Sequence, residues 1–169
     1  MNQDFRDMLR LLEEHGVEYL VVGGYAVIRY TQPRFTKDLD IWIRPSTENA
    51  AKMAKALRAF GVPLIEVTEE DFAEGGLQFM IGIYPNAIDF LTSIKGLDFE
   101  KTWKSKRVFE TSTGNINYIS VPDLIASKKA VGRTQDIADI EEIVRIYPDA
   151  ENSVDPNAPK DQGSNIENS

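Results

Sequence analysis

At 169 residues, with 42% hydrophobic and 27% charged side chains, the chain is the size of one domain with a real core and needs no disulfide or structural metal to fold. It has no cysteine and one histidine, His15, which excludes a disulfide framework, a zinc–thiolate centre, a cysteine nucleophile and histidine-rich metal chemistry; a metal site here must use oxygen ligands, the preference of magnesium and manganese. The net charge of −8 disfavours non-specific nucleic-acid binding, and with neither a membrane-length apolar run nor a signal-peptide core, a cytoplasmic location is expected.

Phe5, Met8, Leu9 and Leu12 fall at helical spacing over residues 4–15, and Gly16 is a natural stop. Residues 17–22 then read as a buried strand that ends abruptly at Gly23-Gly24, followed by a short helix over 25–30. Pro33 and its polar neighbours make 31–37 a loop, and 39–43 a second strand. Ser46-Thr47 caps a helix with Ala50, Met53, Ala54 and Leu57 on one face and Gly61 beyond its end. Residues 77–83 and 87–91 form an antiparallel hairpin across Tyr84-Pro85-Asn86. Two short strands are expected near Val108 and over 116–119, with Gly114-Asn115 turning between them. Pro122 opens a helix that runs to Val131 and breaks at Gly132, and a last helix covers 136–146. From Pro148 the composition turns to Pro, Asn, Asp, Ser and Gly, so residues 149–169 are expected to be a disordered acidic tail on a 1–148 domain. The order of elements suggests an α+β domain with a mixed sheet flanked by helices.

The chemistry concentrates in Thr36-Lys37-Asp38-Leu39-Asp40-Ile41-Trp42-Ile43. Alternate residues of a strand share a face, so Asp38 and Asp40 project together while Leu39, Ile41 and Ile43 face the core. Two carboxylates so close repel each other, and a divalent cation removes that repulsion by binding both. Alone, an Asp-x-Asp pair is more often the wet face of an edge strand. Two features raise its weight. A strand running into Gly23-Gly24 and then a helix lets backbone approach a ligand and presents amides to phosphate. Asp89 interrupts the apolar strand Ala87-Ile88-Asp89-Phe90-Leu91, a costly placement if buried without a partner.

Hydrophobic strand, Gly-Gly, spacer, Asp-x-Asp and a later Asp on a hairpin strand together resemble the polymerase-β-like nucleotidyltransferase superfamily. Many members carry Gly-Ser at the turn; the Gly-Gly here is used by several branches. A second stretch, Leu124 to Ile140, resembles the lysine, glycine-arginine, aspartate, aspartate segment of small bacterial nucleotidyltransferases, including uncharacterised proteins and relatives of abortive-infection toxins. Lys128, Arg133, Asp136 and Asp139 match it; Gln135 stands where a lysine is common. The two matches span most of residues 17–145.

The resemblance implies the superfamily's α+β core and a metal-dependent transfer of NMP from an NTP to a hydroxyl acceptor, releasing pyrophosphate. It implies two Mg2+ ions, or Mn2+, on Asp38 and Asp40, with Asp89 completing one site and serving as the candidate proton acceptor. Gly23 and Gly24 would hold outer phosphates, with Tyr25, Arg29, Lys37, Lys128 and Arg133 as further nucleotide-binding candidates. ATP is one such NTP. The acceptor is a small molecule, a protein or tRNA, and a second copy or a partner protein would supply whatever acceptor surface the short region after residue 95 lacks. Phe99 and Trp103, one helical turn apart, are either acceptor-pocket lining or core. The competing reading is a non-catalytic nucleotide-binding module or toxin–antitoxin partner; retention of all three carboxylates ranks it second.

Overall fold

The computed structural model describes residues 1–112 and 114–151. Helix α1 (Gln3–Glu14) starts where the Asn2 side chain accepts the Phe5 amide and buries Phe5, Met8, Leu9 and Leu12, the stripe its periodicity predicts. Strand β1 (Tyr19–Val21) leads into α2 (Gly23–Tyr30), then β2 (Asp38–Ile43) and α3 (Thr47–Phe60). Ser46 caps α3 through the Asn49 amide, and Gly61, at φ 96°, ends it in the left-handed conformation. After a 3-10 turn at Glu70–Ala73 come β3 (Gln78–Ile81), β4 (Ala87–Leu91), α4 (Phe99–Ser105), β5 (Arg107–Thr111), β6 (Gly114–Tyr118), α5 (Val121–Val131) and α6 (Thr134–Ile146).

The strands form one mixed sheet in the order β3-β4-β2-β1-β6-β5. β1 runs antiparallel to β2 and parallel to β6, β2 parallel to β4, and the β3–β4 and β5–β6 pairs are antiparallel. The central strand β1 is wholly buried, and Leu39, Ile41 and Ile43 are fully enclosed in the core as expected. Buried Asn49 ties α3 to the sheet: its amide exchanges hydrogen bonds with the Glu18 backbone and donates to the Arg44 carbonyl.

Several boundaries differ from the sequence expectation. Helix α2 begins at Gly23, two residues early, because a glycine at φ 60° turns straight from strand to helix. Gly114 and Asn115 pair with Thr111 and Glu110 inside the β5–β6 ladder instead of forming the turn. Helix α4, not expected as a helix, is capped by Asp98, which accepts the Lys101 amide. The chain stays ordered past Pro148: Pro148–Ala150 make a 3-10 turn and Lys129 pairs with Glu151 at 2.9 Å. The rest of the expected tail, 152–169, lies outside the described residues. Among the described residues no helix is long and apolar enough to cross a membrane.

Candidate functional site

The parallel pairing of β2 with β4 sets Asp40 directly opposite Asp89, and Asp38 opposite Ala87. Register partners project to the same side of a sheet, and Asp38 lies two residues from Asp40, so all three carboxylates share one face. The next position on that face of β2 is Trp42, which is buried. Phe99 closes over it edge-on at 5.0 Å and Trp103 stacks on Phe99 at 5.7 Å. This pair, weighed as acceptor-pocket lining or core, therefore covers the inner end of the acidic strip.

Gly23 meets Asp40 at the outer end. A Cβ on residue 23 would fall 2.0 Å from Asp40 Oδ2, so glycine is required there for space as well as for its positive φ. The Gly24 amide donates to the Asp40 carboxylate. On Gly24, a Cβ would fall 2.4 Å from Thr36 Oγ1, so the loop before β2 packs directly on the start of α2.

Burial pushes the Asp40 carboxyl up to about 7, with repulsion from Asp38 and Asp89 adding to it and the Gly24 amide and Lys128 partly opposing. Asp89 is raised as well, first by burial, against the hydrogen bond from Gln78 and with Asp38 repelling. Gln78 Nε2 donates to Asp89 Oδ2 at 2.7 Å, while Asp89 Oδ1 is buried with no partner.

Facing the acidic strip across a cleft of about 440 Å³ is a cluster of ion pairs from α5, α6 and the loop before β2. Lys128 Nζ reaches Asp139 Oδ2 at 2.7 Å and Asp136 Oδ1 at 3.2 Å, and all three side chains are buried. Arg34 Nη2 shares Asp139 Oδ2 at 2.9 Å, Gln135 Nε2 donates to Asp139 Oδ1 at 3.0 Å, and Arg133 Nε donates to Asp136 Oδ2 at 2.9 Å. Burial opposes ionisation of Asp136, but the hydrogen bonds from Arg133 and Lys128 outweigh it and hold this carboxyl below its usual range. Lys128 is thus a buried cation between two carboxylates.

Of the residues singled out in the sequence, Gly23, Gly24, Lys37, Asp38, Asp40, Lys128 and Arg133 line this cleft. Asp89 adjoins it through Asp40. Tyr25 and Arg29 point elsewhere. The Tyr25 ring packs edge-on against Phe5 at 5.5 Å. The Arg29 guanidinium lies 3.8 Å above the Phe109 ring and lines a separate hollow with Arg6 and Tyr118. Both sit on α2, and helical rotation carries them off the face that Gly23 and Gly24 present. The sequence reading passed over Arg34, Phe35 and Gln78 and gave Thr36 no role of its own. Arg34 and Thr36 stand in the motif's own loop, and Gln78 is legible only once β3 is registered against β4.

The donor set suits a hard divalent cation: carboxylates that repel one another, one of them with a buried oxygen lacking any partner. Among the described residues, no group of three acid or histidine side chains is drawn together as a ready-made metal cage. The fit therefore rests on the shared face and on the unsatisfied Asp89 oxygen.

No protein-family model matches the sequence, and no curated protein does. Among solved structures the chain is similar to the lincosamide antibiotic adenylyltransferase LnuA, in a crystal structure with lincomycin bound, at a TM-score of 0.52 and 15% identity over 86% of this chain and 98% of that one. The likeness gives the fold: the mixed α+β architecture is that of this nucleotidyltransferase.

Proposed function

We propose that this chain is a metal-dependent nucleotidyltransferase that moves a nucleoside monophosphate from an NTP to a hydroxyl acceptor. The observation that carries the reading is the register that puts Asp38, Asp40 and Asp89 on one sheet face, with Asp38 and Asp40 lining the cleft beside the glycine start of α2. A mutually repelling carboxylate set is costly to a fold that gains nothing from it, and its natural counterpart is a cation. The nucleotidyltransferase fold supports the same reaction class by analogy.

In the reaction, the acceptor oxygen forms a bond to the α-phosphorus, the bond from that phosphorus to the bridging oxygen breaks, and pyrophosphate leaves. Asp38, Asp40 and Asp89 would hold Mg2+ or Mn2+, which when bound would supply charge neutralisation at the phosphates and lower the pKa of the acceptor hydroxyl. Asp89, on the same sheet face as Asp40, would take the acceptor proton. Lys128, Arg133 and Arg34 bring positive charge to the opposite wall, where phosphate oxygens would accept from them. The acceptor is a small molecule, by analogy with the lincomycin-bound adenylyltransferase of the same fold, and the acidic chain disfavours tRNA.

The test is incubation with each radiolabelled NTP, Mg2+ or Mn2+, and fractionated cell extract. Transfer of label to one component by the wild type and not by Asp40→Asn is expected. Absence of labelled product and of pyrophosphate with every NTP and every fraction would contradict the proposal.

A further inference from the structure

The walls of the cleft are polar or charged with one exception. Among its lining residues, Phe35 is the one large apolar side chain and the one aromatic ring, and it is 72% exposed. Single exposed apolar residues are ordinary on a protein surface. This one differs in its setting. It stands between Arg34 and Lys37 on the wall that packs against Gly24, and no other ring stacks on it among the aromatic contacts of the described residues.

The ring is also held from behind. Arg34 Nη1 donates to the Phe35 carbonyl at 2.9 Å while Arg34 Nη2 is fixed to buried Asp139 at 2.9 Å. The backbone of residue 35 is thereby tied to α6 through a partly buried ion pair, so the loop is anchored by its neighbour while the ring itself stays open to the cleft. An anchored, unstacked aromatic ring beside a row of cations is suited to a ligand that is anionic at one end and planar at the other.

We infer that Phe35 is the platform on which the base of the nucleoside triphosphate stacks, with the triphosphate directed toward Lys128 and Arg133. The inference rests on the nucleotidyltransferase reading and adds to it a residue that recognises the nucleoside without reading its identity, since every base presents a π-face.

Calorimetric titration with Mg2+ present separates the two ends of the ligand, using ATP, CTP and inorganic tripolyphosphate as probes on wild type, Phe35→Ala and Phe35→Trp. Phe35→Ala should bind both nucleotides at least about fivefold more weakly, the lower end of what base–aromatic stacking contributes. Its tripolyphosphate affinity should stay within twofold of wild type, and Phe35→Trp should restore nucleotide binding. Because the side chain is exposed, the melting temperature of all three proteins should agree. Equal nucleotide affinity in wild type and Phe35→Ala would overturn the stacking role alone. Equal weakening of nucleotide and tripolyphosphate would overturn it too, assigning the effect to the cation wall. Failure of wild type to bind any of the three probes would overturn the parent reading and this one with it.

Discussion

Gly23 and Asp40 fit together only because residue 23 has no side chain: a Cβ there would sit 2.0 Å from Asp40 Oδ2, at a backbone φ of 60° that other residues rarely adopt. The glycine turn and the acidic strand are therefore a single construction, the turn leaving room for the carboxylate and the Gly24 amide binding it.

Gly23→Ala should cost roughly 1–3 kcal/mol of stability, from left-handed strain plus the collision. The two contributions separate in a double-mutant cycle with Asp40→Ala, which removes the collision and leaves the strain. Urea unfolding should show the Gly23→Ala cost shrinking in the Asp40→Ala background; equal costs in both backgrounds would show that the two residues do not compete for space.

The pH dependence of the metal-free protein follows from Asp40. Burial and its acidic neighbours push its folded carboxyl from an ordinary 3.8 up to about 7, so between these values the folded state holds a proton that the unfolded state has released. Stability should therefore fall as pH rises from about 4 to about 7. Asp89, also raised, acts in the same direction. Asp136, held low, does the opposite, and its contribution is lost only as pH falls below the ordinary aspartate range. Chemical unfolding in EDTA across pH 4–8 should show the decline in wild type and a flatter profile in Asp40→Asn.

Lys128→Met should be strongly destabilising, by about 3 kcal/mol, because it leaves Asp136 and Asp139 buried beside an apolar side chain. Arg34 and Arg133 still reach these carboxylates, which limits the loss. Thermal unfolding at pH 7 checks it; a change below 0.5 kcal/mol would mean the network contributes little to the fold, as for a surface pair.

Arg29→Ala should leave NTP affinity within twofold of wild type, since its guanidinium lies on Phe109 and not in the cleft. It should cost no more than about 1 kcal/mol, the value of an exposed cation–π contact. Arg34→Ala, by contrast, should weaken NTP binding measurably, and titration of both variants decides between them.

What the sequence revealed depended on how local each signal was. The Asp38–Asp40 pair was legible from strand alternation, and the lone Asp89 from its apolar neighbours. That the two strands are adjacent and parallel, with Asp40 opposite Asp89, is a tertiary fact that no spacing contains. Arg29 was misdirected because it was read by closeness in sequence to the glycines, whereas six residues of helix rotate a side chain well away. That Lys128 is held between two buried carboxylates was not legible, because both partners lie on the next helix. Helix α4 was missed because its seven residues are too few for a periodic pattern, leaving only the Asp98 cap and the Phe99–Trp103 spacing to mark it.

The central claim, that Asp38, Asp40 and Asp89 form a site for a divalent cation and a nucleotide, is tested most directly by the melting temperature of wild type and Asp40→Asn at pH 7.5 in EDTA, in Mg2+ or Mn2+, and in metal with NTP. In EDTA the variant should melt at or above wild type, because one repelling charge is gone while the carbonyl that accepts from Gly24 remains. Metal should raise the wild-type melting temperature and nucleotide should raise it further, while Asp40→Asn should lose most of both responses. A variant that melts below wild type in EDTA yet keeps the full metal response, or a wild type that responds to neither cation nor to any NTP, would contradict the account.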